Sequence, residues 1–424
     1  MSRRPAASLR VLVASVAVAV GAVGACSPGG ADETVEPGEG GTSSPSTATS
    51  SPGAGSGTAG SDDATAPSTG GTSDGTIDPV TEVAVASTLA TGLPAPWGLA
   101  RLPDGSALVT LRDEARVVVV TPTGEVRDVT GDGAQQLVDE TVPDGEGGLL
   151  GVAAVPGEAG ASGADALDVV IYRTGAEDNA VLRGTLDGTE LGPLTVVVDG
   201  IPRARTHNGG QVGFGPDGML YVATGDADQT ELAQDADSLA GKILRVTPTG
   251  EPAPGNPVKG SRVFSLGHRN VQGIGWSPDG TMYASEFGQN ALDELNRIEA
   301  GGNYGWPLVE GDEVAGGGPV PDEVVAPVAT WATDVASPSG LAVTPSGVWL
   351  AGLRGQRLWL VSTEDSEGSG GSGEPEVRDF LTGELGRLRA VVAAGERELW
   401  VLTNATDGRG DPGPDDDRLL RVTY

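Results

Sequence analysis

One local pattern recurs along this sequence and constrains its fold more than any other feature. An apolar run is followed by a turn, often Pro-Asp-Gly, and then by a second apolar run. Asp-Gly between alternating apolar runs favours a β-hairpin, and the proline sets φ at the first turn position. Six copies, about 50 to 67 residues apart, lie at 98–111, 150–172, 212–226, 274–288, 341–353 and 391–403. This spacing is typical of propeller blades, so the sequence predicts an all-β fold, a six-bladed β-propeller.

Other architectures fit this repeat less well. A β-sandwich also contains hairpins, but it gives no reason for the same turn to return six times at near-even intervals. The 68 Gly and 30 Pro residues agree with many short strands and turns and disfavour a helical bundle. In the second copy, Pro156 is expected to mark a longer turn. We expect the inner strands to line a central channel and the loops on one face to carry any site.

The acidic composition and the single cysteine exclude several kinds of partner and site. There are 26 basic residues against 59 acidic ones, which gives a formal net charge of −33. Such a charge repels phosphate backbones, so nucleic acid is not expected as a partner. One cysteine excludes an intramolecular disulfide, a multi-cysteine zinc site and an iron–sulfur cluster. Any chemistry must therefore use oxygen and nitrogen groups.

The first 25 residues resemble a bacterial lipoprotein signal. Arg3, Arg4 and Arg10 precede an uncharged apolar stretch that is shorter than the roughly 20 residues that a membrane-spanning helix needs. The stretch ends in Val23-Gly24-Ala25-Cys26, which resembles a lipobox. We predict a signal peptide over 1–25 and lipid on Cys26 as the mature N-terminus; the alternative is a stray cysteine after an ordinary signal.

Residues 26–79 have the composition of a disordered tether. They are rich in Gly, Ser, Thr and Pro, and from residue 27 onward they contain no Lys, Arg or aromatic residue. Such a segment cannot bury enough apolar surface to offset its chain entropy. The first aromatic residue is Trp97, and we place the propeller at 80–424. With lipid on Cys26, the sequence predicts an extracytoplasmic protein anchored to the outer face of the cell membrane.

The two histidines of the chain both lie in polar clusters just before a repeat hairpin. His207 begins His-Asn-Gly-Gly-Gln, and His268 precedes Arg269 and Asn270. An isolated histidine is more often a turn or capping partner. Equivalent positions in two blades face one channel, however, so His207 and the Arg269-Asn270 pair are expected to meet at a common ligand. A histidine there can act as a general base near neutral pH, and Arg269 can donate to a carboxylate or a developing oxyanion.

Two long segments carry a resemblance to a known family. Residues 206–226 (THNGGQVGFGPDGMLYVATGD) and 264–306 (FSLGHRNVQGIGWSPDGTMYASEFGQNALDELNRIEAGGNYGWP) resemble the soluble glucose dehydrogenase and aldose sugar dehydrogenase family. The similarity covers essentially all of 90–424. It implies a six-bladed propeller that uses pyrroloquinoline quinone (PQQ) and calcium, in agreement with the blade count from the repeat.

The resemblance implies roles for individual residues. His207 matches the family's general base, and Arg269 and Asn270 match residues that bind the reacting quinone oxygens. Cofactor contacts are also implied at four further positions, Asp293, Arg354 in place of a lysine, Arg387 and Arg389. Glu146 lies where well-known members have a glutamine that contacts the quinone. A carboxylate there needs calcium, an arginine or protonation to be tolerated beside the cofactor's own acids.

The resemblance also implies two calcium sites. Gly288 and Gln289 match the positions whose backbone carbonyls bind the catalytic calcium, and carbonyl oxygens suit this hard cation. Glu294 and the Tyr304 carbonyl match ligands of a second, structural calcium. The metal at the first site would polarise the quinone carbonyl as a Lewis acid.

The resulting functional hypothesis is an aldose dehydrogenase. It oxidises the anomeric carbon of a sugar to a lactone and passes electrons to a respiratory acceptor, a quinone or a cytochrome. Two alternatives remain open at this stage. Six-bladed propellers also include calcium-dependent lactonases, and a non-catalytic surface binding module could keep the fold without the enzyme.

Overall fold

The computed structural model describes residues 79–159, 166–363 and 375–424. The predicted signal peptide, Cys26 and the tether as far as residue 78 lie outside the described residues. Within the described part of the chain, no helix has the length and apolar character needed to cross a membrane.

Six antiparallel sheets form the described fold, each with four main strands; from the inside outwards these follow the sequence order in the first five sheets, and the sixth takes its outer strand from the start of the domain. In blades 1 to 3 these strands are Pro96–Arg101, Ala107–Leu111, Arg116–Val120 and Val126–Asp128; Leu149–Ala159, Ala166–Thr174, Asn179–Asp187 and Thr195–Ile201; and Val212–Phe214, Leu220–Ala223, Lys242–Val246 and Val263–Leu266. Glu190–Leu191 pairs additionally with the third strand of blade 2.

Blades 4 and 5 continue the same order, and blade 6 adds the strand Ala84–Ala90 at its outer edge. Their strands are Val271–Trp276, Met282–Glu286, Leu292–Ile298 and Ala329–Ala332; Pro338–Thr344, Gly347–Gly352, Arg357–Val361 and Val377–Phe380; and Leu388–Gly395, Glu398–Thr403, Leu419–Thr423 and Ala84–Ala90. Short elements in the described connecting loops include the helix Asp132–Glu140, the 3₁₀ turn Thr230–Gln234, and a ribbon of Val309–Glu310 paired with Glu313–Val314.

The six sheets close into a ring. The inner strand of each blade contacts the inner strand of the next, and that of blade 6 contacts that of blade 1. The outer strand of blade 6 is Ala84–Ala90, which pairs antiparallel with Leu419–Thr423 from the other end of the domain. The predicted six-bladed β-propeller is therefore confirmed.

The core consists of six apolar layers, one between each pair of neighbouring blades. Successive residues of one strand contribute to different layers, because side chains alternate between the two faces of a sheet. Leu108 packs between blades 1 and 2, whereas Val109 packs between blades 1 and 6. Both faces of each sheet are thus buried, which explains why the inner strands are apolar almost throughout.

All six hairpins predicted from the repeat are present, and each forms the two innermost strands of a blade. The expectation for Pro156 was wrong. This residue lies within the strand Leu149–Ala159, where the pairing register shifts between Ala154 and Ala159. A proline has no N–H to donate, but an exposed, irregular stretch of strand tolerates it.

The Pro-Asp-Gly turns have one construction in blades 1, 3 and 4. The glycine has a positive φ in each, +85° at Gly105, +73° at Gly218 and +95° at Gly280. The preceding aspartate accepts a hydrogen bond from the amide two residues ahead, as Asp217 does from Met219 at 3.0 Å. The same bond forms at 2.8 and 3.0 Å in the other two turns. The recurring sequence therefore encodes a recurring backbone conformation.

Replacing Gly218 by alanine is expected to lower the free energy of unfolding by about 1–2 kcal/mol, the cost of a left-handed conformation for a residue with a Cβ. A Cβ at this position has no atom within 4 Å, so the effect is purely conformational. Urea unfolding measures the change. Gly192→Ala is the matched control because its φ is not in the left-handed region and its nearest contact is an ordinary 3.6 Å; equal midpoints for the two variants would contradict the prediction.

Candidate active site

A histidine and a buried aspartate form a hydrogen-bonded pair in blade 3. His207 Nδ1 lies 2.8 Å from Asp226 Oδ1. The other carboxylate oxygen accepts a hydrogen bond from Trp306 Nε1 at 2.8 Å, and the Asp226 side chain is fully buried. An ionised carboxylate only accepts, so the histidine must donate from Nδ1. This leaves Nε2 as the proton acceptor, the arrangement required of a general base.

The backbone around this pair is held in unusual conformations. His207, Ala227 and Asp228 have positive φ values of 55°, 52° and 57°. The amide of Ala227 donates to the His207 carbonyl at 3.1 Å. A Cβ on Gly225 would lie 1.9 Å from the same carbonyl oxygen, so only glycine fits there. Clustered left-handed residues without glycine are costly and are typical of functional sites.

Arg269 lies beside this pair. Its carbonyl accepts from the amide of Asp226 at 2.8 Å, and its Nη1 donates to the Phe287 carbonyl at 3.0 Å. The guanidinium lies 5.5 Å from the centre of the Trp306 ring, and Nε is buried with no partner among the described residues. Burial lowers the pKa of this group from its ordinary value. The structure therefore brings His207 and Arg269 together and leaves a donor available.

His268 belongs to a fully buried network rather than to the channel surface. Its Nε2 lies 2.8 Å from Ser265 Oγ and its Nδ1 lies 2.8 Å from Glu286 Oε2. The other oxygen of Glu286 accepts from the backbone amide of Arg269. This serine–histidine–glutamate chain is out of solvent, so its role is to hold the segment that carries Arg269.

Glu146 and Asn270 lie next to the same loop. Glu146 Oε2 accepts from the His207 amide at 3.1 Å and from Asn270 Nδ2 at 3.5 Å, and Oε1 pairs with Arg409 at 2.8 Å. Burial alone would raise the pKa of Glu146, but the charge of Arg409 and these hydrogen bonds hold it below its ordinary value. The carboxylate is therefore ionised, and an arginine compensates it.

A cavity with an empty volume of about 350 Å³ lies at this end of the channel. Four arginines and two acids line it, namely Arg112, Arg387, Arg389, Arg409, Glu146 and Asp407. Asn208, Gly209, Gln272, Phe287, Leu353 and Trp97 complete the lining. The excess of guanidinium groups makes the lining of this cavity suitable for an anion in a strongly acidic protein.

Arg389 is one of two buried arginines of this cavity, with Arg112. Its Nη1 donates to Gln272 Oε1 and to Ser339 Oγ, both at 3.0 Å, and its guanidinium lies 4.7 Å from the centre of the Trp97 ring. Nε has no partner among the described residues. Burial, with the nearby charge of Arg112, lowers the pKa of Arg389 to about 9. A bound carboxylate would relieve this unfavourable environment.

Arg387, Arg354 and Asp293 make other contacts. Arg387 lines the cavity and pairs with Asp407 at 2.7 Å. Arg354 is exposed, donates to the Thr333 carbonyl at 3.0 Å and is absent from the cavity lining. Asp293 is buried, which raises its pKa to about 6. Its carboxylate accepts from the amides of two loop residues, Gly288 at 3.0 Å and Ser337 at 2.7 Å.

The loop with Gly288 and Gln289 is ordered by one carboxylate oxygen. Glu310 Oε1 accepts hydrogen bonds of 2.6 to 3.2 Å from four consecutive amides, those of Gln289, Asn290, Ala291 and Leu292. In a trans peptide the carbonyl points opposite to the N–H. The Gly288 and Gln289 carbonyls therefore both point away from Glu310, and no backbone amide of the described residues donates to either. Carbonyl oxygens that receive no backbone amide suit a calcium ion.

Glu294 and Tyr304 line a smaller cavity of about 220 Å³ together with Glu286, Glu310, Gly288 and Arg269. Burial, and then the charge of Glu286, raise the pKa of Glu294 to about 8. The Tyr304 carbonyl receives no hydrogen bond from a backbone amide of the described chain. Three glutamates around one small cavity form an oxygen-rich donor set, which suits a hard divalent cation.

The residues of these sites that were not predicted from the sequence include Asp226, Arg112, Arg409, Asp407 and Glu310. Asp226 closes the second strand of a repeat hairpin, in Ala-Thr-Gly-Asp, and Glu310 follows Asn-Tyr-Gly-Trp-Pro. Both residues lie inside or beside the segments that carry the family resemblance. The other three lie in loops with no local pattern that distinguishes them from surface residues.

The fold and the site together define a six-bladed propeller with a histidine–aspartate pair beside an arginine-lined cavity. Residues 93–421 match the glucose/sorbosone dehydrogenase family model. The chain belongs to this family of oxidoreductases, which confirms the predicted resemblance and the enzyme class. Family membership favours the dehydrogenase hypothesis over the lactonase and the non-catalytic binding module.

Known relatives agree with this assignment. The chain is 31% identical over 339 residues to the aldose sugar dehydrogenase of Escherichia coli, covering 74% of this chain and 88% of that protein. The PQQ-bound aldose sugar dehydrogenase from Streptomyces coelicolor superposes with a TM-score of 0.73 at 47% identity, covering 81% and 98% of the two chains. A putative oxidoreductase (glucose dehydrogenase) from Thermus thermophilus gives a TM-score of 0.69 at 39% identity, covering 80% and 99%.

Proposed function

We propose that this protein is a PQQ-dependent aldose dehydrogenase that oxidises the anomeric carbon of a sugar to a lactone. The observation that carries the proposal is the position of the His207–Asp226 pair beside a cavity lined by four arginines. A base beside this cavity can take the proton of a substrate hydroxyl, and the cationic cavity suits a polyanionic cofactor.

The residues present fit PQQ. This cofactor is a planar molecule with three carboxylates and two quinone carbonyls, so it needs several fixed donors. Arg389 and Arg269 each keep a buried Nε without a partner among the described residues. Arg387 lines the same cavity as Arg389. Arg387 and Arg389 are assigned to the carboxylates, and Arg269 and Asn270 to the quinone oxygens. When bound, PQQ supplies the hydride acceptor.

The protein's own residues manage the proton. His207 Nε2 takes the proton of the anomeric hydroxyl, while Asp226 holds Nδ1 and stabilises the resulting imidazolium. Trp306 donates to Oδ2 of Asp226 and so holds this carboxylate in the orientation that contacts His207. Arg269 and Asn270 provide preorganised donors beside the base, which lowers the energy of charge that develops during the reaction.

Calcium is proposed at the two oxygen-rich places described above. The Gly288 and Gln289 carbonyls would hold the catalytic ion, and Glu294 with the Tyr304 carbonyl would hold a second one. A bound ion supplies Lewis-acid polarisation at the first site. At the second site it would compensate the buried charge of Glu294, which is unfavourable without a cation.

The cellular setting is likewise a proposal and rests on the sequence alone. Lipid on Cys26 would anchor the enzyme to the outer face of the membrane, with residues 27–79 as the tether. Electrons from the sugar would then pass to a respiratory acceptor, a quinone or a cytochrome, that is accessible from that side.

Removal and return of the cofactor test the proposed function. We expect apoprotein treated with PQQ and Ca²⁺ to reduce a redox dye in the presence of aldoses, and protein that receives calcium alone to remain inactive. The same samples are assayed for lactone hydrolysis. No dye reduction across a broad panel of aldoses, or hydrolysis of lactones by the PQQ-free protein, would contradict the assignment.

A further inference from the structure

Glu146 joins two parts of the active site through its two carboxylate oxygens. Oε2 accepts from the amide of His207, the proposed base, at 3.1 Å and from Asn270 Nδ2 at 3.5 Å. Oε1 accepts from Arg409 Nη2 at 2.8 Å. The first set of contacts positions the loop that carries the base, and the second contact provides the countercharge for this carboxylate.

The location of Glu146 makes that countercharge necessary. Glu146 lines the cavity that would receive a tricarboxylate, and its side chain is only 20% exposed. Four guanidinium groups and two carboxylates line this cavity, and removal of one cation would halve its net positive charge. In a poorly solvated cavity, an uncompensated carboxylate would repel an anionic ligand over several ångströms.

Arg409 is placed to compensate Glu146 from the rim. It comes from the loop between the second and third strands of blade 6, 263 residues from its partner. Its amide donates to Asp407 Oδ1 at 2.9 Å, and the other oxygen of Asp407 pairs with Arg387 at 2.7 Å. The side chain itself is 57% exposed. The loop is therefore anchored to Arg387, while Arg409 pairs with Glu146 at the cavity.

We propose that Arg409 is a positioning residue of the cofactor site that acts through Glu146. By neutralising this carboxylate it keeps the cavity receptive to an anionic cofactor and lets Glu146 hold the His207 loop. Arg409 does not need to touch the cofactor in this scheme. The proposal rests on the proposed function, because it takes PQQ as the anion.

Calorimetric titration of PQQ into the apoprotein, at saturating calcium, tests this scheme. R409Q should weaken PQQ binding on the order of tenfold, because it leaves Glu146 unopposed. E146Q should bind at least as tightly as the wild type, since the introduced amide oxygen can still accept from His207 and Asn270. The double variant E146Q/R409Q should return to within about threefold of the wild type, because the charge to be compensated is gone. R409K should also bind like the wild type.

R205Q is the matched control. Arg205 pairs with Asp144 at 3.1 Å, its side chain is 76% exposed, and it is absent from the cavity lining. R205Q removes the same charge as R409Q and should leave PQQ affinity unchanged. Thermal unfolding of every variant verifies that R409Q is folded.

Two results would overturn the proposal while the wild type still binds PQQ. One is an R409Q variant with wild-type affinity. The other is a double variant as weak as R409Q, which would mean that Arg409 contacts the cofactor directly. A wild-type protein that takes up no PQQ overturns the proposed function itself, and this proposal with it.

Discussion

Replacement of His207 by asparagine is expected to lower kcat by about 10²–10⁴-fold, the usual contribution of a general base. Asparagine can keep a hydrogen bond to Asp226 but cannot accept a proton from the substrate. Affinity for PQQ should change little, because the cationic cavity remains intact. Steady-state dye reduction measures the first effect and calorimetric titration with PQQ measures the second.

Added imidazole provides a control for this experiment. A small external base should restore part of the turnover of H207N, because the space left by the ring stays open beside the substrate. If H207N kept kcat within about tenfold of the wild type, His207 would not be the base. A loss of PQQ affinity as large as the loss of turnover would instead make His207 a cofactor ligand.

Replacement of Glu310 by alanine is expected to weaken calcium binding at the catalytic site by about 10–100-fold, as is typical when groups that orient metal ligands are removed. Four consecutive amides donate to one oxygen of this side chain. Without it, nothing on this side chain fixes the peptide groups that carry the Gly288 and Gln289 carbonyls. Calcium titration of the protein with PQQ present, followed by recovery of dye reduction, measures the effect.

Glu313→Ala is the matched control for Glu310. It lies opposite Glu310 in the same short ribbon, but it is exposed and accepts none of these amides. E313A should keep wild-type calcium affinity. The calcium affinity of E310Q should lie between those of E310A and E313A, because the oxygen of the introduced amide can still accept hydrogen bonds from the loop. Equal affinities for E310A and E313A would show that the carboxylate does not organise the loop.

The fold could be read from the sequence because its determinants are local. Each Asp-Gly turn determines a hairpin within about 15 residues, and Gly105, Gly218 and Gly280 adopt the conformation that this chemistry favours. The prediction of a turn at Pro156 was wrong because, in the sequence alone, a proline in an exposed, irregular strand looks like a turn residue.

The candidate site was predictable only in part. His207, Arg269 and Asn270 were found because they precede hairpins and occupy equivalent places in two blades. Arg409 meets Glu146 across 263 residues, and such a pair depends on ring closure and on loop shape, which no local pattern encodes. Arg354 fits the family pattern but lies outside the cavity lining, so its contact with the cofactor stays a prediction.

The sixth blade combines strands from both ends of the domain, which determines when it can form during synthesis. Its sheet needs Ala84–Ala90 and Leu419–Thr423 at the same time, although nearly the whole domain separates them in the chain. The entropy of closing so long a loop opposes this pairing until the intervening blades are in place. A growing chain therefore cannot complete the circle before its last strand emerges. Loss of Leu419–Thr423 would expose the edges of the two strands that pair with it and leave the ring of blades incomplete.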